Sequence, residues 1–324
     1  MGTTTIEWTD KTWNPVSGCS HVSEGCRNCY AERVFPRPYP GRKFTDVQCH
    51  LERLEQPLHW RKPQNIFVNS MSDLFHEDVP DEFIEEVFDR ILQADWHTYQ
   101  ILTKRPERMR SFMVSWMAGL KVQIIEHVWL GVSVEDQQTA DERIPLLLAT
   151  PASIRWVSYE PALGEVNFNQ WLLSEHGRRM IGAKPGIAWI VAGGESGPKA
   201  RPSHPDWVRL VRDQCQAAGV PFFFKQWGEY KPISEMAERE SGALYRSNRK
   251  AKEFEDQSAI DESYGKSCCV ESFGVQFDGW RGYGADPGGK PAYQVFRVGK
   301  RNAGRLLDGR EWNEFPVGEK GCHE

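Results

Sequence analysis

Three cysteines crowd the start of the chain. The segment WNPVSGCSHVSEGCRNCYAERV sets out Cys19, six residues, Cys26, two residues, Cys29 and then Tyr30. A two-residue gap lets two thiolates grip one metal centre, and the longer loop, with its Gly and Ser, brings the third thiol round to it. Three thiolates leave one coordination position unfilled. For zinc, that position calls for His21, Cys49 or His50. For a four-iron cluster, it leaves one iron free to bind a ligand. Buried thiols with no metal role are the third reading of the same residues.

Further polar groups follow a series of apolar runs. Ser70 and Asp73 come after NIFVNS, Thr103, Lys104 and Arg105 close YQILTK, and Ser133 and Glu135 close VWLGVS. Ser158 and Glu160 end IRWVSYE, Gly193, Gly194 and Glu195 end IAWIVAGG, and Lys225 and Gln226 end PFFFKQW. Singly, such residues cap helices and make turns. Six sets in register converge on one mouth if the runs are strands of a curled parallel sheet.

The spacing of those runs supports such a sheet. They start roughly 30 residues apart, the length of one βα unit. Between them, DEFIEEVFDRILQA repeats Phe83, Ile84, Val87, Phe88, Ile91 and Leu92 with helical period, behind Pro80 and acidic residues suited to a helix start. Ser203 to Gly219 reads as another helix, with Ser203 as cap, Pro205 in the first turn and Gly219 as stop. A weaker strand is expected around Thr12 to Ser17, and one more in AYQVFRV from Ala292. The expected fold class is α/β, a full or partial (β/α) TIM-like barrel, with an open doubly wound sheet as the alternative.

The chain divides into a barrel with its cysteine loop over residues 1–230, a polar insertion or lid over 231–290, and a segment over 291–324 that packs back on the barrel. Its 324 residues carry 40 Lys and Arg against 45 Asp and Glu, a net charge of -5, which excludes a wholesale basic coat. Nucleic acid must then be held by local patches. Lys104, Arg105, Arg108 and Arg110 form one basic cluster, and Arg297, Lys300, Arg301 and Arg305 another; the plainer reading of each is a solvated helix face. No apolar run approaches 18 residues, so no membrane partner is expected. The first ten residues lack the pattern of a secretory signal, which points to thiols in the cytoplasm.

The succession WNPVSGC, CxxCY, FVNSMSDLF, QILTKRPERM, WLGVSVED, WVSYEPALG, AGGESG, FFFKQWGE and VGKRNAGRLLDGREW resembles a phage- and prophage-associated radical S-adenosylmethionine (SAM)-like family, long left as a domain of unknown function. It is more distantly similar to spore photoproduct lyase. The resemblance spans nearly the whole chain outside the insertion. It implies a barrel of radical-SAM type, a [4Fe-4S] cluster on Cys19, Cys26 and Cys29, SAM as second cofactor, and a flavodoxin or ferredoxin-type electron donor. The spacing in that superfamily is three residues then two, where Cys19 and Cys26 here enclose six.

The resemblance implies a radical reaction and does not fix its substrate; the reaction expected is a rearrangement or modification of a nucleobase, as in hypermodification of phage DNA within the host cytoplasm, with isomerisation favoured over lyase or transferase chemistry. On this reading Ser70 or Asp73 meets the amino end of SAM, Thr103, Lys104, Ser133 and Glu135 line its site, and Gly193, Gly194 and Glu195 approach the adenosyl part. Glu160 and Lys225 orient the substrate or move a proton near the radical, a structural ion pair being the plainer reading. The alternative function is a zinc-stabilised nucleic-acid-binding protein without redox chemistry.

Overall fold

Seven parallel strands follow one another across a single sheet almost in the order in which the chain makes them. The computed structural model describes residues 4, 6–121, 124–172, 186–244, 252–256, 259–260, 270–282 and 291–316. The barrel strands are β1 (Lys11–Trp13), β4 (Asn65–Val68), β5 (Thr98–Thr103), β6 (Val128–Val134), β7 (Ile154–Tyr159), β8 (Trp189–Gly193) and β9 (Phe222–Gln226). The short strands β2 (Val16–Ser17) and β3 (Gln48–Cys49) pair with each other outside this sheet. Every neighbouring pair in the large sheet is parallel.

This order decides the architecture. Each crossover steps the same way, and right-handed connections then set the helices on one face. The other face must curl onto itself to leave water. The result is a partial (β/α) barrel, since β1 and β9 are not paired and the sheet remains open.

Four longer helices lie along the sequence between the strands: α2 (Asp81–Gln93), α3 (Pro106–Leu120), α4 (Gln137–Leu148) and α5 (Pro205–Ala218), with the short α1 (Tyr30–Val34) in the cysteine segment. Helix α2 buries Phe83, Ile84, Val87, Phe88 and Ile91, each worth about 1.5–3 kcal/mol when fully removed from water. Leu92, expected on the same stripe, is exposed, because it lies a further step round the helix. The cap of α5 also differs from expectation. His204 is the N-cap and its ring nitrogen accepts from the Asp206 amide at 3.1 Å, while Ser203 Oγ donates to the Ala162 carbonyl. Gly219 ends the helix in the left-handed region as expected.

Strand alternation separates the two faces. Ile66, Val68, Tyr99, Ile101, Leu130 and Val132 join the core beneath the helices. Phe67, Trp129, Trp156, Trp189 and Phe223, together with Trp8, fill the inside of the curl. Their rings meet edge-on or tilted, with centroids 4.7 Å apart for Trp8 and Phe67, 5.3 Å for Trp8 and Trp156, and 5.4 Å for Trp156 and Trp189. Gly131 lies opposite Trp156 in the ladder, and a β-carbon there would overlap the indole. Further along the same strands the inward positions become Ser133, Ser158 and Lys225. The barrel thus has an aromatic floor and a polar mouth.

AYQVFRV does form a strand, β13 (Tyr293–Arg297), but not in the barrel. It joins an antiparallel sheet with β10 (Tyr230–Pro232), β11 (Ser272–Val275) and β12 (Arg281–Gly282). The free edge of β9 is occupied instead by the chain around Trp312 to Glu314: Phe224 N donates to Trp312 O at 2.9 Å and Glu314 N to Phe222 O at 3.2 Å. Described parts of residues 231–290 therefore supply strands to this second sheet. Cys268, Cys269 and Cys322 lie outside the described residues.

Candidate active site

The carboxyl ends of the barrel strands open into a cavity of about 300 Å³, whose wall includes Cys19, Cys26 and Cys29. The loop that carries them is pinned by its backbone. Cys19 N donates to Phe44 O at 2.8 Å, Cys26 N to Ser23 O at 2.9 Å and Cys29 N to Cys26 O at 3.1 Å, and Cys29 is the residue from which α1 starts. At Gly25 the loop passes so close to Glu135 that a β-carbon would overlap the carboxylate. All three thiols are free. Burial pushes the Cys19 thiol up to about 12, with Asp73 adding to the rise and Arg105 opposing it, and burial raises Cys29 as well.

Thiolates on a single zinc stand about 3.8 Å apart, the edge of a tetrahedron with 2.3 Å bonds. Among the described residues no three His, Cys, Asp or Glu side chains gather around one such point. Of the fourth zinc ligands expected from sequence, Cys49 is a free thiol off the cavity wall, and the two histidines are engaged elsewhere. His21 Nε2 is 2.9 Å from Glu32 Oε2, and His50 bonds Ser17 Oγ at 2.7 Å and Glu52 Oε1 at 3.0 Å. A [4Fe-4S] cluster binds each thiolate through a different iron and so takes thiols that stand wider apart around one cavity. Three free thiols from one loop match in number the ligands that leave one iron of such a cluster open.

Asp73 is the hub of the adjoining wall. It accepts from Thr103 Oγ1 at 2.7 and 2.9 Å, from the Lys104 amide at 3.1 Å and from Arg105 Nη1 at 3.3 Å. Arg105 continues to Glu77 at 2.9 Å and Ser20 Oγ at 2.8 Å. On the next strand Glu135 is fully buried and accepts from Lys104 Nζ at 2.6 Å, Arg143 Nη1 at 3.0 Å and Ser23 Oγ at 3.2 Å. Burial alone would raise its carboxyl, but Lys104 and Arg143 outweigh it and hold the group below its ordinary value.

Glu160 and Lys225 meet across the mouth, with Nζ donating to Oε2 at 2.8 Å. Glu195 accepts from Arg201 at 2.6 and 2.9 Å and from Asn28 Nδ2 at 3.0 Å, tying the cysteine loop to β8. Ser70 Oγ donates to Asn14 Oδ1 at 3.2 Å, and Tyr30 OH donates to the Ser70 carbonyl.

Of the fourteen residues given a cluster, SAM or substrate role from sequence, twelve line this cavity; Glu135 and Gly193 do not. Glu135 lies behind the cysteine loop as a counter-ion. Gly193 hands its carbonyl to Ala162 N at 3.0 Å. The basic cluster expected to grip phosphates is largely internal: Lys104 and Arg105 are spent on the carboxylates above, and Arg108 bonds Asp81 and the His76 and Val79 carbonyls. In the second cluster Arg297 pairs with Glu271 and Arg305 with Asn313, while Lys300 lines the cavity. Sequence reasoning missed Trp8, Asn28, Asn69 and Arg201. Of these only Asn69 carries a local signal, a polar residue directly after a strand, and it adopts φ 58°.

No helix among the described residues is long and apolar enough to cross a membrane. No curated protein matches the chain. Among solved structures, a cysteine-to-serine mutant of spore photoproduct lyase is similar with a TM-score of 0.44 and 9% identity, over 69% of this chain and 79% of that one. Spore photoproduct lyase complexed with dinucleoside spore photoproduct is similar with a TM-score of 0.37 and 10% identity, over 65% and 64%. The model of the family described as "Protein of unknown function (DUF5131)" matches residues 3–316, and the chain belongs to that family.

Proposed function

We propose that this chain is a radical-SAM enzyme that rearranges or modifies a nucleobase. The observation that carries the reading is three free thiols, Cys19, Cys26 and Cys29, from one loop on the wall of a cavity at the carboxyl ends of parallel strands. Those thiols would hold a [4Fe-4S] cluster, which with SAM and an external electron donor supplies an adenosyl radical able to remove a substrate hydrogen atom.

The protein's own groups supply position and exclusion. Asp73, fixed by Thr103 and Arg105, presents carboxylate oxygens beside the cysteine loop, where an ammonium group is favoured. Glu160 and Lys225 are hydrogen-bonded at the mouth, where the pair holds or delivers a proton at a substrate heteroatom. The aromatic floor under them keeps water from the reacting atoms. A flat ring resting against Trp8 and Phe67 has the shape this floor accepts.

The test is anaerobic reconstitution with iron and sulfide. The protein is expected to take up about four iron atoms per chain, and under a strong reductant to release 5′-deoxyadenosine and methionine from SAM. Replacing any one of the three cysteines with Ala is expected to abolish both. Iron-free, colourless protein after reconstitution would overturn the reading. Scoring Glu160→Gln and Lys225→Met separately for SAM cleavage and for product places the pair: product loss with cleavage intact is the expected result.

A further inference from the structure

Three buried polar atoms of residues on the cavity wall are without a partner. They are the indole N–H of Trp8, the amide nitrogen of Asn69 and the amide oxygen of Gln226. Their residues are 2%, 3% and 6% exposed. Buried donors and acceptors are almost always paired, because an unpaired one forfeits its hydration and receives nothing back. Here three occur on the wall of one cavity.

Each atom is aimed by its surroundings. Asn69 is the first residue after β4, two along from Phe67 and so on the inner face, and its Oδ1 is already used by the Val16 amide at 3.2 Å. Only its NH₂ remains. Trp8 rests edge-on against Phe67 and Trp156, which fixes the indole plane. Gln226 ends β9, where its carbonyl accepts from Gly194 N at 2.8 Å. Between them they present two donors and one acceptor beside aromatic rings. The complementary ligand is uncharged, planar and edged with two acceptors and one N–H donor.

We infer that Trp8, Asn69 and Gln226 form a subsite for the base of the substrate nucleotide. The inference rests on the function proposed above and names the part of the substrate that the floor holds. Nucleobases carry ring nitrogens or carbonyls as acceptors and an N–H as donor, on a face that stacks against aromatic side chains. A sugar lacks the flat face and a phosphate lacks the donor. The adenosyl group of SAM carries a ring of the same kind, so the two sources must be separated by experiment.

The experiment uses full-length, cluster-free protein, with equilibrium dialysis of the four deoxynucleosides, a single-stranded tetranucleotide and S-adenosylhomocysteine. Gln226→Met keeps the bulk and deletes the polar atom, Trp8→Phe deletes the indole N–H together with one ring, and Asn69→Asp keeps the Oδ1 acceptor and removes the donor. Each is expected to weaken binding of at least one nucleoside and of the tetranucleotide about tenfold, and to leave S-adenosylhomocysteine binding unchanged. Gln226→Met is also expected to raise the melting temperature of the free protein, since it removes an unpaired buried acceptor; a merely structural role gives the opposite sign. The inference is overturned if wild-type protein binds no nucleoside, if the variants bind nucleosides as wild type does, or if only S-adenosylhomocysteine is affected. Iron uptake on reconstitution is scored in parallel, so failure of this subsite is distinguishable from failure of the radical-SAM reading.

Discussion

Arg105 donates a hydrogen bond to Cys19, with Nη1 3.6 Å from Sγ, and the same guanidinium is held by Asp73, Glu77 and Ser20. One planar fork therefore joins the first thiol of the loop to the end of β5. Lysine cannot reproduce this, because an ammonium is a point donor without the fixed geometry of the guanidinium. Arg105→Ala leaves Asp73 buried beside the thiol without its cation, and loss of one partner of a buried pair costs about 3–5 kcal/mol. Arg105→Lys is expected to recover only part of that, measured by urea unfolding of cluster-free protein. Iron per chain on reconstitution should fall in the Ala variant, while Cys49→Ala, at a thiol off the cavity wall, should match wild type. Equal stability of wild type and Arg105→Ala would show that the fork carries no load.

Glu135 serves the loop from behind. Its side chain is wholly buried with Lys104 and Arg143 as counter-ions. Glu135→Gln keeps the shape but leaves two cations facing one neutral amide, at an expected cost of about 3 kcal/mol. Lys104→Met alone also destabilises, by stranding part of the carboxylate charge. The double variant is expected to be more stable than the sum of the two single losses predicts, by about 1–3 kcal/mol, since Lys104 no longer faces a neutral amide and Arg143 alone is left unpaired. Strict additivity in denaturant titrations would contradict the coupling.

Much of this arrangement was legible in the residue order. The βα rhythm gave six barrel strands, and the register of Ser133, Ser158 and Lys225 at strand ends gave the mouth, because side chains two apart on a strand share a face. The roles of Arg143 and Arg201 were not legible. Each stands on another element or loop and reaches its carboxylate only after folding. Assignment of AYQVFRV to the barrel went wrong for a related reason: strand propensity is local, whereas the edge it would have filled was already taken by the chain near Trp312. The zinc alternative likewise turned on His21, Cys49 or His50, and the pairing of the two histidines with Glu32 and with Ser17 and Glu52 depends on loop packing.

The aromatic floor depends on one absent side chain. Trp156 lies over Gly131 on the neighbouring strand, in the space a β-carbon would need. Gly131→Ala is therefore expected to push the indole toward Trp8 and Trp189 and to cost about 1–3 kcal/mol despite the higher strand propensity of Ala. The same displacement narrows the cavity floor, so near-ultraviolet circular dichroism of the tryptophans should change along with the unfolding midpoint. An unchanged spectrum with unchanged stability would mean that the indole has room to move.

Acid sensitivity is expected to centre on His204. Burial drives its imidazole down to about 4 from an ordinary value near 6.5, with Arg209 adding to the fall and Asp206 opposing it. The ring is packed against Trp207, Phe277 and Tyr293, and its neutral nitrogen caps α5. In the unfolded chain the same ring takes up a proton near pH 6.5. The folded state is therefore fully favoured above pH 6.5, loses ground as pH falls from there toward 4, and has lost the whole contribution below that, a difference worth about 3 kcal/mol. His204→Asn retains a capping acceptor without a titrating group. Its unfolding free energy should fall less steeply than wild type between pH 7 and pH 4, and parallel curves over that range would exclude His204 as the source of the acid limb.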